Sequence, residues 1–118
     1  MIKVVGLLKR RADLSPAQFR DYYERHHRLL GEKYLTGHAV KYTRRYLLPQ
    51  ARGLSADQAS PFDVILEIWY PDQAALDAAH AVLSAPQVQA EIMADEEQLF
   101  ERAANRFFTV DEVESQLQ

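Results

Sequence analysis

Short apolar runs alternate with longer stretches in which apolar residues recur at helical spacing. Residues 2–9 (IKVVGLLK) are rich in Val and Leu and followed by charge, which predicts a first strand. The segment LSPAQF carries a helix start, with Ser15 at the N-cap, Pro16 at the first helical position and Gln18 completing a capping box. That helix is expected to run to about Leu30 and to end at Gly31. At ~100° per residue, Phe19, Tyr22, Tyr23, His26, Leu29 and Leu30 share one face, with His26 near its middle and His27 on its flank. Residues 38–49 predict a second strand ended by Pro49, with Tyr42, Arg44 and Tyr46 on one side and Lys41, Thr43 and Arg45 on the other. After a loop of small and polar residues, 62–70 (FDVILEIWY) predict a third strand. Phe62, Val64, Leu66, Ile68 and Tyr70 give it one apolar face; Asp63, Ile65, Glu67 and Trp69 lie on the other. Pro71 and Asp72 open a second helix over QAALDAAHAVL. Residues 84–87 restart it with another capping box, Asp95 to Gln98 read as a third start, and 104–110 (ANRFFTV) as strand four.

The order βαββαβ, with its second helical stretch broken at Pro86, is the ferredoxin-like pattern of the α+β class: a four-stranded antiparallel sheet with helices on one face. The other sheet face is expected to hold Ile65 and Trp69, together with Tyr42, Tyr46 and Phe107 or Phe108. An exposed apolar patch of that kind marks an interface. Two copies packed sheet to sheet would bury it and leave a closed space between sheet and helix ends.

Composition narrows the options. The chain has 118 residues, 47% hydrophobic and 26% charged, which fits one compact domain with little room for a deep private pocket besides its core. A net charge of −3 gives no basic footprint for nucleic acid. With no cysteine, disulfides, thiolate metal sites and cysteine nucleophiles are excluded. The N-terminal apolar run is too short for a signal peptide, and no stretch approaches the ~18 apolar residues of a membrane span, so a cytoplasmic location is expected. No phosphate loop, nucleotide fingerprint or zinc pattern occurs, so no cofactor and no metal is expected.

The segments SPAQFRDYYERHHRLLGEKYL, YTRRYLLP, FDVILEIWY and ADEEQLF followed by FF resemble the EthD-domain family of the dimeric α/β-barrel superfamily, over roughly residues 2–112. The most specific part is the run F-x-x-Y-Y-E-x-x-H ending at His27; the pair Asp95 and Glu96 also fits. The resemblance implies a ferredoxin-like domain over 1–112 with a polar tail at 113–118. It also implies a homodimer packed sheet to sheet, with a pocket between the first helix and the sheet. The family is named after a protein of an ethyl tert-butyl ether degradation cluster. Members and near relatives include lactone isomerases of aromatic catabolism, polyketide dehydratases and cyclases, and cofactor-free monooxygenases acting on anthrones. The methylmuconolactone isomerase branch places its helix histidine one residue earlier, at the position of His26, and uses a cysteine that this chain lacks.

His27 is the first candidate for chemistry, because imidazole titrates near neutrality and can accept or donate a proton. The alternative is a histidine that only caps a pocket wall beside Arg28. His26 reads either as a buried histidine bonded to a neighbour or as a second catalytic group ordering His27. Adjacent helical residues diverge by ~100°, which disfavours metal binding by the pair. Glu67 is the second catalytic candidate: flanked by Ile65 and Trp69, its carboxylate must be paired or shifted. It would either orient His27 or form an ion pair with Arg44, Arg45 or Arg106. Tyr23, Tyr42 and Tyr46 offer hydroxyls to a substrate oxygen, and Trp69 a pocket wall. Asp95 and Glu96 read as a helix start, and His38 and His80 as structural or exposed. The expectation is a homodimeric, cofactor-independent lyase or isomerase (dehydration, cyclisation or lactone rearrangement) acting on a hydrophobic oxygenated ring compound. Two alternatives stand beside it: a cofactor-free monooxygenase or its accessory, and a non-catalytic ligand-binding dimer.

Overall fold

The computed structural model describes residues 1–48 and 60–118. Pro49 and most of the loop after it lie outside the described residues. Four strands, β1 (Ile2–Leu8), β2 (Lys41–Tyr46), β3 (Val64–Tyr70) and β4 (Arg106–Thr109), form one antiparallel sheet in the order β2-β3-β1-β4. The helices are α1 (Pro16–Tyr22), α2 (Arg28–Leu35), α3 (Gln73–Leu83) and α4 (Pro86–Glu96). Both core clusters lie on the helix side of the sheet. One gathers Leu8, Phe19, Tyr23, Val64, Leu66, Leu99 and Phe100; the other Leu35, Tyr70, Leu76 and Ala79.

The N-terminal cap of α1 forms as read. Ser15 Oγ accepts from the Gln18 amide, and Gln18 Oε1 accepts from the Ser15 amide. Asp72 caps α3 by accepting from the Ala75 amide. The restart at Pro86 has no capping box: Ser84 closes α3, and Ala85 stands at the N-cap of α4 without a side-chain bond. No third helix begins at Asp95, which belongs to the last turn of α4; its carboxylate is taken by side chains of the first helical layer rather than by backbone amides.

The first helical layer departs most from expectation. Between α1 and α2, residues Tyr23–His27 form a single π-turn. The residues that line the sheet side are Phe19, Tyr23, His27, Gly31 and Leu35, each four apart. In a regular α-helix each such step drifts by ~40°, so Leu35 would end on the far side from Phe19. A π-turn takes an extra residue and resets the phase. His27 therefore replaces His26 on the inner face, and His26 and Leu29 are exposed. Gly31 sits inside α2 rather than at its end, because a Cβ there would stand 2.8 Å from the Tyr42 ring. The helix stops four residues later, where Gly37 adopts φ +89° and the amides of His38 and Ala39 return to the Leu35 carbonyl at 3.0 and 2.9 Å.

That turn also shortens β2. Its register sets Tyr42, Arg44 and Tyr46 opposite Ile68, Leu66 and Val64, so Tyr42 and Tyr46 belong to the helix face, not to the open one. The open face carries Val5, Leu7, Ile65, Trp69 and Phe108, with Lys3, Lys41, Thr43, Arg45, Glu67 and Arg106 among them. Among the described residues no helix is long and apolar enough to cross a membrane.

Candidate functional site

Between the first helical layer, α4 and the sheet lies a cavity of about 170 Å³. Its walls are mainly apolar, from Leu8, Leu66, Ile68, Ile92, Phe100 and Phe107, and its polar lining comes from Tyr23, His27, Tyr42 and Glu96. Two glycines shape it: Gly31 lets the Tyr42 ring lie under α2, and Gly6 lets the Phe107 ring lie over β1, where a Cβ would come within 2.9 Å of it. An apolar cavity of about 150 Å³ accepts benzene, so this one has room for about one ring.

The His27 ring is wedged edge-on between Tyr23 and Phe100, with centroids at 5.2 and 5.4 Å. Its Nδ1 lies 2.8 Å from Asp95 Oδ2, and both side chains are largely buried. The Tyr22 hydroxyl donates to the other oxygen, Oδ1, at 2.6 Å. Burial and this contact with Asp95 push the Tyr22 phenol up to about 12, so it stays a donor. A carboxylate on Nδ1 fixes that nitrogen as the protonated one and leaves Nε2 to exchange a proton. Glu96, the next residue, lines the cavity; burial raises its pKa, against the opposing pull of His27 and Arg102. Burial likewise raises Tyr23 well above the ordinary phenol value, and Tyr42 above it. Both phenols are therefore neutral hydrogen-bonding groups in the cavity.

A second cluster holds the π-turn in place. Glu24 receives Arg44 Nε and Nη2 at 2.8 and 2.9 Å and the Tyr46 hydroxyl at 2.6 Å, while Arg28 Nε donates to the Glu24 carbonyl at 2.8 Å. The Arg44 guanidinium keeps the Glu24 carboxyl below its usual range. The cluster ties the turn to the edge strand β2 on the same side of the sheet as the cavity. Among the described residues no group of three or more His, Asp or Glu side chains is arranged to hold a metal ion.

The profile of the EthD domain matches residues 11–103. The chain belongs to the EthD domain family. No protein of curated description matches its sequence significantly. Solved structures share its fold. An EthD family protein from Bacillus halodurans superposes with a TM-score of 0.65 at 16% identity, covering 96% of this chain and 99% of the other. A dimeric ferredoxin-like protein from Thermobifida fusca gives 0.57 at 14%, covering 92% and 88%. A variant of SnoaB, a cofactor-independent oxygenase from Streptomyces nogalater, gives 0.56 at 13%, covering 99% and 97%. At such identities the likeness concerns the ferredoxin-like fold.

In this EthD chain, His27, Tyr23 and Tyr42 meet in the cavity. Four other candidates stand elsewhere. Glu67 does not face His27: it lies on the open side of β3, opposite Val5 and Thr43, in an ion pair with Arg45. Strand alternation forces this, since Leu66 and Ile68 claim the helix side. Trp69 shares the open face and lies between the ammonium groups of Lys3 and Lys41, 4.0 and 4.1 Å from its ring centroid. Tyr46 is engaged by Glu24, with the Arg20 guanidinium 4.7 Å from its ring centroid. His26 stacks on Tyr22, centroids 4.6 Å apart, beside an open groove on the outer side of Asp95. The partner that the sequence reading assigned to Glu67 is Asp95. The spacing of the DE pair was visible, but only the packing of α4 against the π-turn brings it to His27.

Proposed function

We propose that this EthD chain is a cofactor-independent enzyme that moves a proton on a hydrophobic oxygenated ring compound, with His27 as general base and acid. One observation carries the reading: a histidine whose Nδ1 is held at 2.8 Å by a carboxylate borders an apolar, ring-sized cavity that also presents two neutral phenols. Nε2 takes the proton, and Asp95 balances the charge that then appears on the ring. Tyr23 and Tyr42 hold the substrate oxygen. Dehydration, cyclisation and lactone rearrangement all begin with such a transfer, and a lyase or isomerase is the leading class. The test is exchange of the α-protons of 2-indanone in heavy water, followed by proton NMR. The chain accelerates it; exchange at the buffer rate refutes the reading.

A second reading is cofactor-free oxygenation, favoured by the fold shared with the oxygenase SnoaB. There the same base would deprotonate a phenolic substrate before it meets oxygen. Oxygen uptake with such a substrate separates the two readings.

The dimer belongs to the same proposal. Trp69 Nε1 is buried without a hydrogen-bond partner among the described residues, and Phe108 is half exposed beside Val5 on the open face. The fold is shared with a protein described as dimeric. A second copy packed on this face would cover the patch. His27 and Asp95 meet within one chain, so the partner is not needed to bring them together. Phe108→Asp is expected to convert the dimer to monomer in sedimentation velocity; an unchanged sedimentation coefficient argues against this face.

A further inference from the structure

Asp95 and Glu96 are consecutive on the last turn of α4, so their side chains diverge by ~100°. Asp95 turns to the first helical layer, where Tyr22 and His27 occupy both its oxygens. Glu96 lines the cavity, and among the described residues no group hydrogen-bonds to its carboxyl. Among the described residues it forms one ion pair, with Arg102, whose Nε stands 3.9 Å from Oε1, beyond hydrogen-bond reach. The charged and titratable groups around it are His27 from the π-turn, Arg102 from the turn before β4, and Asp95 beside it. The rest of the lining near it is apolar, including Ile92, Phe100 and Phe107. With only about a fifth of the side chain exposed, burial favours the acid form, whose proton is free for whatever enters the cavity.

Building on the proposed role of His27, we infer that Glu96 is the acid of the site, donating to the carbonyl oxygen of a ring ketone whose α-proton His27 removes. The substrate class is thereby narrowed to compounds that carry a carbonyl beside an acidic C–H on about one ring. The step balances within the site. The His27 Nε2 lone pair takes the proton, the C–H electron pair becomes the C=C bond of the enol, and the carbonyl oxygen takes the Glu96 proton. The site then holds imidazolium and carboxylate; the imidazolium returns a proton to the same or another carbon of the enol while the enol hydroxyl returns its proton to Glu96, which restores both. The raised pKa of Glu96 lets it keep its proton closer to neutrality than an ordinary glutamate, and the phenol of Tyr42, which accepts from Tyr23, remains as an additional donor.

Infrared spectra of 2-indanone labelled with ¹³C at the carbonyl, bound to the full chain, test this. A donor on the oxygen lowers the C=O stretching frequency. The downshift is expected in the unaltered chain, to shrink as pH rises through the Glu96 pKa, to persist without that pH dependence in Glu96→Gln, and to fall in Glu96→Ala to the smaller, pH-independent part that a phenol supplies. Among the described residues the Glu96 side chain makes no hydrogen bond and only a long ion pair with Arg102, so circular dichroism of both variants checks that the fold is kept. An unshifted band in the unaltered chain, an equal band in Glu96→Ala, or no binding of 2-indanone overturns the inference. His27→Gln separates it from the reading it rests on: that variant keeps the downshift and loses exchange. If His27→Gln still exchanges at the full rate, the role of His27 fails whatever the band shows.

Discussion

His27→Gln is expected to lower catalysed α-proton exchange in 2-indanone by about 10²–10⁴-fold, the usual contribution of one positioned acid–base group. His26→Gln is expected to leave the rate within about twofold, because its ring lies outside the cavity and touches the dyad only through its stacking on Tyr22. The two residues are adjacent and chemically identical, so the contrast isolates position. His27 is pinned from behind by Asp95 at 2.8 Å and from both sides by Tyr23 and Phe100, and it borders the cavity. His26 lies outside, stacked on Tyr22. Glutamine at 27 can still bond to Asp95 through its amide, so the dyad's packing survives while its titratable nitrogen is gone. Far-ultraviolet circular dichroism and sedimentation checks on both variants remove loss of fold as an explanation. Equal losses in the two variants would sink the assignment, as would a larger loss at His26.

Phe19→Ala is expected to destabilise the chain by about 3–5 kcal/mol, and Leu29→Ala by less than about 0.5 kcal/mol, both measured by urea denaturation at matched slope. Helical arithmetic from the sequence puts the two residues on one face. The structure separates them: Phe19 is 1% exposed, in edge contact with Tyr23, Tyr46 and Phe100, whereas Leu29 is 50% exposed. The π-turn between them accounts for the difference. Without it, a helix of strict 3.6-residue period would carry Leu29 towards the sheet. Similar costs at both sites would mean that the helix in solution has the regular phase, and with it His26 rather than His27 inside. The thermodynamic comparison therefore bears on the catalytic assignment without any substrate.

The strands show how far pattern reaches. β3 alternates so cleanly that its apolar face was assigned residue by residue, and Val64, Leu66 and Tyr70 are buried as that pattern requires. β2 carries tyrosines, arginines and a lysine on alternate positions with no apolar face, so its orientation was not legible. Tyr42 and Tyr46 were placed with Trp69 and instead lie with Leu66 and Ile68. Pairing with β3 decided this, because register is fixed by the neighbour's buried face when the strand's own pattern is neutral. The caps at Ser15 and Asp72 were legible because they are local: side chain and amide are three residues apart. Ser84 has the same chemistry, but the chain closes one helix there before opening the next, and no capping bond forms.

By itself, the sequence determined the order of elements, the ferredoxin-like class, the EthD resemblance carried by the run that ends at His27, and the exclusion of cysteine chemistry. The resemblance rests on matching segments along the chain, and the others on composition or on patterns within a few residues. Only the tertiary structure decided which histidine faces the cavity and which carboxylate stands behind it. The first depends on a π-turn held by Arg44 and Tyr46 from a strand some 20 residues away. The second depends on α4 bringing Asp95 across 68 residues of chain to His27 while Glu67 is turned to the opposite face. Neither partnership leaves a periodic trace, because the energy that selects each is paid out between elements and not along them.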